Sequence, residues 1–152
     1  MDGIDPPLQG VKAVMHVLQI TRKTTAGKDA IWQLWADVPK RTRWDDSLEW
    51  AKINGPFQLG ATGELKLKDQ PIRKFEVTEC EPKTRYTDRF FLPLGAKMDW
   101  LHSINEMPDG ENEVTFRVEV SGPTAFILAP IMRHILKNVL PRTVEKLVTL
   151  AE

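Results

Sequence analysis

The sequence predicts an α+β domain in which seven short antiparallel strands are covered by one long C-terminal helix. Apolar residues recur at spacings of three and four through the last thirty residues, which is the period of a helical face. Strand-sized segments separated by turn residues fill the middle of the chain, and such short connections favour antiparallel neighbours. At 152 residues the chain has the size of one domain.

Composition excludes several classes of function. The chain carries 21 basic and 21 acidic residues with no run of one sign, which disfavours nucleic-acid binding through a broad basic face. A single cysteine, Cys80, excludes an internal disulfide and is typical of a reducing compartment. The first ten residues lack the apolar segment of a signal peptide, and the nearly apolar stretch 125–132 is too short to span a membrane. We therefore predict a cytoplasmic protein.

The N-terminal part of the chain predicts an arm followed by a strand. Residues 1–10 contain Asp5-Pro6-Pro7 and are predicted to be a flexible arm, with a single domain over residues 11–152. Residues 11–20 are rich in β-branched and apolar side chains, as in a strand with one face on the core. His16 within it is interpreted as an ordinary strand histidine rather than a titrating switch.

Two short helices are predicted after this strand. Residues 28–37 place Ile31, Leu34, Trp35 and Val38 on one helical face. Pro39 ends that helix and suits the first turn of a second one that extends to Trp44.

Six further strands are predicted between the short helices and the C-terminal helix. Each break between them contains turn residues such as Asn54-Gly55-Pro56 or Pro108-Asp109-Gly110. The last strand alternates most regularly, with valine and phenylalanine at its even-numbered positions from 114 to 120. The predicted strands are 48–53, 61–67, 72–80, 83–91, 96–106 and 111–121.

The C-terminal segment 122–152 predicts the long helix. Its apolar face comprises Leu128, Met132, Ile135, Val139, Leu140, Val144, Leu147 and Ala151. Pro141 predicts a bend, and Pro130 either adds a second kink or marks the first turn. Two interpretations of these prolines stay open, a helix that curves along a twisted sheet and a lid hinged at a proline.

Several segments in this order resemble the START/Bet v 1-like (SRPBCC) helix-grip superfamily, which includes bacterial polyketide cyclase/dehydrase-like proteins. The matching segments are IWQLWADVPKRTRWDD, FEVTECEPKTRYTD, AKMDWLHSI and SGP, and the resemblance extends from about Val11 to the C-terminus. It implies a strongly curved seven-stranded sheet that wraps the C-terminal helix and encloses an apolar cavity. It also implies binding or transport of a lipid, quinone or polyketide-like ligand, or in a minority of members cyclase/dehydratase catalysis. Fold alone does not choose among these functions.

The alternation of the central strands predicts which side chains face the cavity. Met98, Trp100 and His102 form the more apolar face of one strand, and Tyr86, Asp88 and Phe90 the better inward face of the strand before it. The register stays open, because a four-residue connection at 92–95 would place Arg89 beside Met98. A connection of three or five residues, or a bulge, would instead place Asp88 beside Trp100 or His102. The predicted ligand-binding residues are Trp35, Tyr86, Phe90, Met98, Trp100, His102, Phe116, Val118, Leu128, Met132, Ile135 and Val139.

Asp88 and His102 are the candidate catalytic residues. A buried carboxylate beside an imidazole forms a plausible proton-transfer couple for a polyketide-like substrate. The alternatives are that the two side chains anchor a polar headgroup in an apolar pocket, or that they play a purely structural role. The sequence does not decide between an enzyme and a carrier.

The remaining polar features give less information about function. The basic cluster at Lys40, Arg41 and Arg43 is interpreted as a solvated face, since Asp45 and Asp46 follow it, with transient contact to a membrane surface as the alternative. The three histidines are isolated and no phosphate-binding loop is present, so neither a metal nor a cofactor is predicted. We predict a monomer or weak homodimer, and a partner-recruiting module is a third hypothesis whose sign would be a filled core.

Overall fold

A computed structural model describes residues 14–152, and it confirms the predicted fold class: a curved seven-stranded antiparallel sheet with a long C-terminal helix. The predicted arm 1–10 lies outside the described residues. The strands are β1 Val14–Thr24, β2 Leu48–Asn54, β3 Thr62–Leu67, β4 Ile72–Glu81, β5 Arg85–Phe91, β6 Lys97–Glu106 and β7 Asn112–Ser121. The helices are α1 Lys28–Ala36, a 3-10 helix Val38–Arg43, a single 3-10 turn Pro93–Gly95, and α2 Ala125–Ala151.

The strands follow the order β1-β7-β6-β5-β4-β3-β2, and each neighbouring pair is antiparallel. Strands β2 to β7 form a meander because their connections are short. The segment that contains α1 and the 3-10 helix carries the chain from β1 at one edge to β2 at the other. Strand β1 extends beyond its predicted end at residue 20, since pairing with β7 continues to Thr24 opposite Asn112.

The connection between β5 and β6 spans five residues, 92–96, and this length sets the register that the sequence left open. Leu94 and Gly95 both adopt positive φ angles in the reversal. Asp88 lies opposite Trp100, and Phe90 lies opposite Met98. The faces of β5 and β6 that were predicted to point inward therefore lie on the same side of the sheet.

The C-terminal helix is continuous from Ala125 to Ala151, so Pro130 lies inside it and does not mark its first turn. The face in its first half is rotated from the predicted one, because Leu136 is buried whereas Ile135 is 53% exposed. The buried residues of the helix are Ala125, Ala129, Leu136, Leu140, Thr143, Val144, Leu147 and Val148. Among residues 14–152, neither helix combines the length and the apolarity that crossing a membrane requires.

Gly122 allows the helix to begin close to the β5–β6 connection. Its φ angle is 107°, and a Cβ atom there would lie 2.7 Å from the carbonyl oxygen of Gly95. A side chain at this position would be strained by its backbone conformation and would also clash with main chain. The glycine thus lets the chain pass from β7 into α2 beside the β5–β6 connection.

The core consists of two apolar clusters. The larger cluster surrounds Trp35, Phe116 and Leu140 and joins α1, α2, β1 and β7, whereas the smaller one surrounds Phe75 and Val77 on β4. The half-buried side chains Phe57, Met98 and Trp100 contact both clusters. The candidate site lies along this boundary.

Candidate functional site

A cavity of about 230 Å³ lies between the sheet and α2. An engineered cavity of roughly 150 Å³ binds benzene, so this space is large enough for a one- or two-ring molecule. Its lining is mostly apolar and comes from the 3-10 helix, the segment leading into β2, strands β2 to β7 and the middle of α2. The exposed residues Gln70 and Ile135 belong to the lining, which places its solvent-facing side between the β3–β4 turn and the helix.

The structure brings nine of the twelve predicted ligand-binding residues to this cavity, together with the candidate catalytic residue Asp88. The nine come from alternate positions of the central strands and from the middle of α2. They are Tyr86, Phe90, Met98, Trp100, His102, Phe116, Met132, Ile135 and Val139.

Trp35, Val118 and Leu128 do not line the cavity. Trp35 and Val118 are fully buried in the larger core cluster, and Leu128 packs against that cluster. The indole of Trp35 packs edge-on against Tyr86, with ring centroids 5.3 Å apart. It supports the cavity wall from behind.

The interpretation of Arg41 as part of a solvated basic face is wrong, because this side chain is 4% exposed and lines the cavity. Its Nε donates to the main-chain oxygen of Trp35 at 2.9 Å, and its Nη1 donates to Oδ2 of Asp88 at 2.9 Å. Its neighbours Lys40 and Arg43 are exposed as predicted. Arg41 is the principal site residue that sequence reasoning missed.

A period of three would have identified Arg41 as an inward residue. A 3-10 helix has three residues per turn, so residues three apart lie on the same face. Val38, Arg41 and Trp44 are all buried at that spacing, and Trp44 also lines the cavity. The spacing predicted a helix here but not its type, and in an α-helix the three positions would drift apart around the axis.

The Arg41–Asp88 pair is enclosed by protein. Burial raises the pKa of Asp88, and the nearby guanidinium of Arg41 acts against that rise. Burial also raises the pKa of Asp45, which accepts a hydrogen bond from the Ser47 hydroxyl at 2.6 Å and lines the same cavity. A buried guanidinium stays charged in proteins, so Arg41 requires a carboxylate partner.

His102 occupies an aromatic environment. Its ring stacks on Tyr86 and packs edge-on against Phe116, with centroids 4.5 Å apart in the second contact. Burial is the main cause that lowers its pKa well below the usual 6.5, and the positive charge of Arg41 acts in the same direction. The imidazole is therefore neutral at pH 7.

Five buried polar atoms that belong to residues lining the cavity have no hydrogen-bond partner among residues 14–152. They are Nη2 of Arg41, Oδ1 of Asp88, the hydroxyl of Tyr86, Nε1 of Trp100 and Nδ1 of His102. Buried polar groups are almost always paired in native proteins, because an unpaired one costs about 1–3 kcal/mol. The residues that carry them are neighbours through the β5–β6 pairing and the Arg41–Asp88 bond, so they form one polar wall in a mostly apolar space.

Asp88 and His102 do not form the acid/base couple that the sequence suggested. Asp88 and His102 lie on the same wall, but Asp88 binds Arg41 whereas His102 stacks on Tyr86. The wall offers both donors and acceptors to a ligand, and the neutral imidazole could accept a proton. Within the part of the chain that the structure describes, no cluster of His, Cys, Asp and Glu side chains could hold a metal ion.

Solved structures match this fold, although no protein-family model and no curated protein matches the sequence. Protein MLL2253 from Mesorhizobium loti is 16% identical, with a TM-score of 0.66 over 88% of this chain and 94% of that one. Norcoclaurine synthase from Thalictrum flavum, in complex with dopamine and hydroxybenzaldehyde, is 12% identical, with a TM-score of 0.67 over 99% and 93%. The chain has the helix-grip fold.

A third helix-grip structure is DynU16, a protein in the dynemicin biosynthetic locus. It is 17% identical to this chain, with a TM-score of 0.62 over 86% of this chain. The match covers 46% of DynU16, so this chain corresponds to about half of that protein. One of these three structures is named a synthase, and the names of the other two state no activity. The shared fold therefore does not decide the function of this chain, and the site must.

Proposed function

We propose that this helix-grip protein binds a small amphipathic molecule, such as a lipid, quinone or polyketide-like compound, in the cavity between the sheet and α2. The observation that carries the proposal is the group of five unpartnered polar atoms in the residues that form one wall of a mostly apolar cavity. A few precisely placed polar groups in an apolar pocket are what orients a bound small molecule.

The lining can supply useful binding energy. A ligand that buries about 200 Å² of apolar surface would gain about 5 kcal/mol, before the costs of association are subtracted. Hydrogen bonds to Arg41 and Asp88 would add to this, since bonds to charged groups are stronger than bonds between neutral groups. The cavity is also reachable, because Gln70 and Ile135 line it and are exposed.

The test combines native mass spectrometry with a variant that fills the cavity. We expect the protein purified from its own host to carry a stoichiometric small molecule, which solvent extraction then identifies. Val139 is half-buried and lines the cavity, so Val139→Trp should displace the molecule by occupying its space. Leu150→Trp adds the same side chain to α2 at a position that is 39% exposed and does not line the cavity, and it should retain the molecule.

Retention of the bound molecule at the wild-type level by Val139→Trp would contradict binding in this cavity. The same holds if loss occurs equally in Leu150→Trp, because the effect would then not depend on the position of the added ring.

An enzyme of the cyclase/dehydratase type is the second candidate, and the neutral His102 with its unpartnered Nδ1 is the observation that favours it. A neutral imidazole next to a bound substrate can act as a general base without first losing a proton. His102→Gln should then abolish turnover of the extracted molecule and leave its affinity nearly unchanged. Equal loss of turnover and affinity would indicate a binding role.

Three predictions about partners remain predictions. They are the partner-recruiting module, transient contact with a membrane surface, and the monomer or weak homodimer. A partner-recruiting module was expected to have a filled core, so the presence of the cavity gives that hypothesis no support.

A further inference from the structure

The Arg41–Asp88 pair, whose two residues line the cavity, leaves one nitrogen donor and one oxygen acceptor without a hydrogen bond. A single hydrogen bond joins Nη1 of Arg41 to Oδ2 of Asp88, although the two groups can form a bidentate pair. The remaining atoms, Nη2 and Oδ1, are buried and unpartnered. Burying both atoms is costly unless another group forms hydrogen bonds with them.

The charge around this pair does not favour an anionic ligand. Arg41 contributes one positive charge, and the carboxyl groups of Asp88 and Asp45 face it. Tyr86 and His102, which line the same wall, are uncharged at pH 7 because burial raises the pKa of the first and lowers that of the second. The half-buried Arg73 on the β3–β4 hairpin is the other cation of the lining. Within residues 14–152, no excess positive charge remains at the polar wall to compensate a buried carboxylate.

We infer that the Arg41–Asp88 pair selects an uncharged group that accepts and donates a hydrogen bond, a phenol or enol hydroxyl, and rejects carboxylates. This inference rests on the proposed ligand-binding function of the cavity. The hydroxyl oxygen accepts from Nη2 of Arg41, and its proton is donated to Oδ1 of Asp88. A ring fits the rest of the site, because the aromatic side chains Tyr86, Trp100 and Phe116 line it.

Four probes with the same ring system separate these contributions. 2-Naphthol carries the hydroxyl, 2-methoxynaphthalene can only accept, naphthalene can do neither, and 2-naphthoate is anionic at pH 7. Dissociation constants are measured by titration calorimetry on the wild-type protein. We expect 2-naphthol to bind at least about tenfold more tightly than each of the other three, since it alone completes two hydrogen bonds to charged groups.

A matched pair of variants tests the role of Asp88. Asp88→Asn removes the acceptor charge that faces Arg41, and we expect the preference for 2-naphthol over 2-naphthoate to fall at least about tenfold. Asp99→Asn is the control, because Asp99 pairs with Arg89 through bonds of 2.8 and 2.9 Å on the other face of the same two strands. It should retain the wild-type preference.

The outcomes of these experiments test the inference separately from the proposed ligand-binding function. Binding of naphthalene or 2-naphthoate as tightly as 2-naphthol would overturn the inference and leave the cavity as a ligand site. If none of the four probes binds, the inference is overturned, whereas the proposed function is decided by native mass spectrometry and the Val139→Trp comparison. Should Asp88→Asn not fold, the wild-type series alone decides.

Discussion

The imidazole of His102 lies parallel to the phenol ring of Tyr86, with centroids 4.0 Å apart and an angle of 5° between the planes. The two residues are direct partners in the β5–β6 ladder, so the backbone pairing itself brings the rings together. Trp35 and Phe116 close the sides of this stack with edge-on contacts. Burial of the ring in this way disfavours its charged form.

Acidification should therefore destabilise the protein through His102. Its pKa is near 6.5 in the unfolded chain and well below that in the folded state, so the unfolded state binds more protons in the interval between them. The free energy of unfolding should fall as the pH drops below about 6.5, with a limiting slope of about 1.4 kcal/mol per pH unit. Urea unfolding between pH 7.5 and 5.5 measures this slope.

Two variants assign the slope to His102. His102→Gln should flatten it, whereas His134→Gln, which changes an exposed histidine on α2, should not. Asp88 and Asp45 act in the opposite sense, because burial raises the pKa of both and protonation then stabilises the folded state as the pH falls. A slope that persists unchanged in His102→Gln would contradict the assignment.

Removing one member of the Arg41–Asp88 pair should cost more stability than replacing both. Asp88→Leu leaves a buried guanidinium without its carboxylate and should lower the free energy of unfolding by about 3–5 kcal/mol. The double variant Arg41→Met/Asp88→Leu should recover most of this loss, because no unpaired charge remains. Chemical denaturation of the two variants checks both values.

The half-exposed pair Arg89–Asp99 provides the comparison for that prediction. Its side chains are 32% and 18% exposed, so Arg89→Met should cost about 1 kcal/mol or less. Equal costs for Asp88→Leu and Arg89→Met would show that burial of the inner pair has no energetic consequence.

Tyr86→Phe should stabilise the ligand-free protein and weaken ligand binding. The hydroxyl of Tyr86 is buried without a partner, so removing it relieves a desolvation cost of about 1–3 kcal/mol. The same change removes one polar atom from the wall that we propose contacts the ligand. Thermal unfolding without ligand and calorimetry with 2-naphthol measure the two effects, and a loss of stability without ligand would contradict the assigned cost.

Gly63→Ala should destabilise the sheet near the smaller core cluster. A Cβ atom at this position would lie 2.5 Å from Cζ of Phe75 and would press against the main-chain oxygen of Lys52, which the β2–β3 ladder holds in place. We expect a loss of about 1–3 kcal/mol in urea unfolding, as for overpacking elsewhere in cores. Gly27→Ala is the control, since a Cβ there meets open space and the expected change is within about 0.5 kcal/mol.

Local sequence patterns predicted the strands and helices well, because the spacing of apolar residues shows which face of each strand or helix is buried. The alternation of β7 is visible in the buried Val114, Phe116 and Val118, and each strand boundary follows a cluster of turn residues. The same alternation predicted most of the cavity lining, since inward positions of neighbouring strands share a surface once the pairing is known.

Local sequence patterns did not predict the β5–β6 register or the burial of Arg41. Asp88 faces the cavity beside Trp100 because a five-residue connection with two positive φ angles replaces the four-residue connection that the turn residues suggested. Arg41 is charged and stands between Lys40 and Arg43, so its local sequence reads as surface.

The sequence by itself determined the order of elements, the antiparallel meander and the need of the C-terminal helix for a sheet to cover. These follow from periodicity and turn chemistry, which act over a few residues. Only the tertiary structure decided that Arg41 meets Asp88 across 47 positions of the chain and that Trp35 stands behind the cavity wall. An arginine is buried where a carboxylate compensates its charge, and such a partner is fixed by the fold and not by neighbours in sequence.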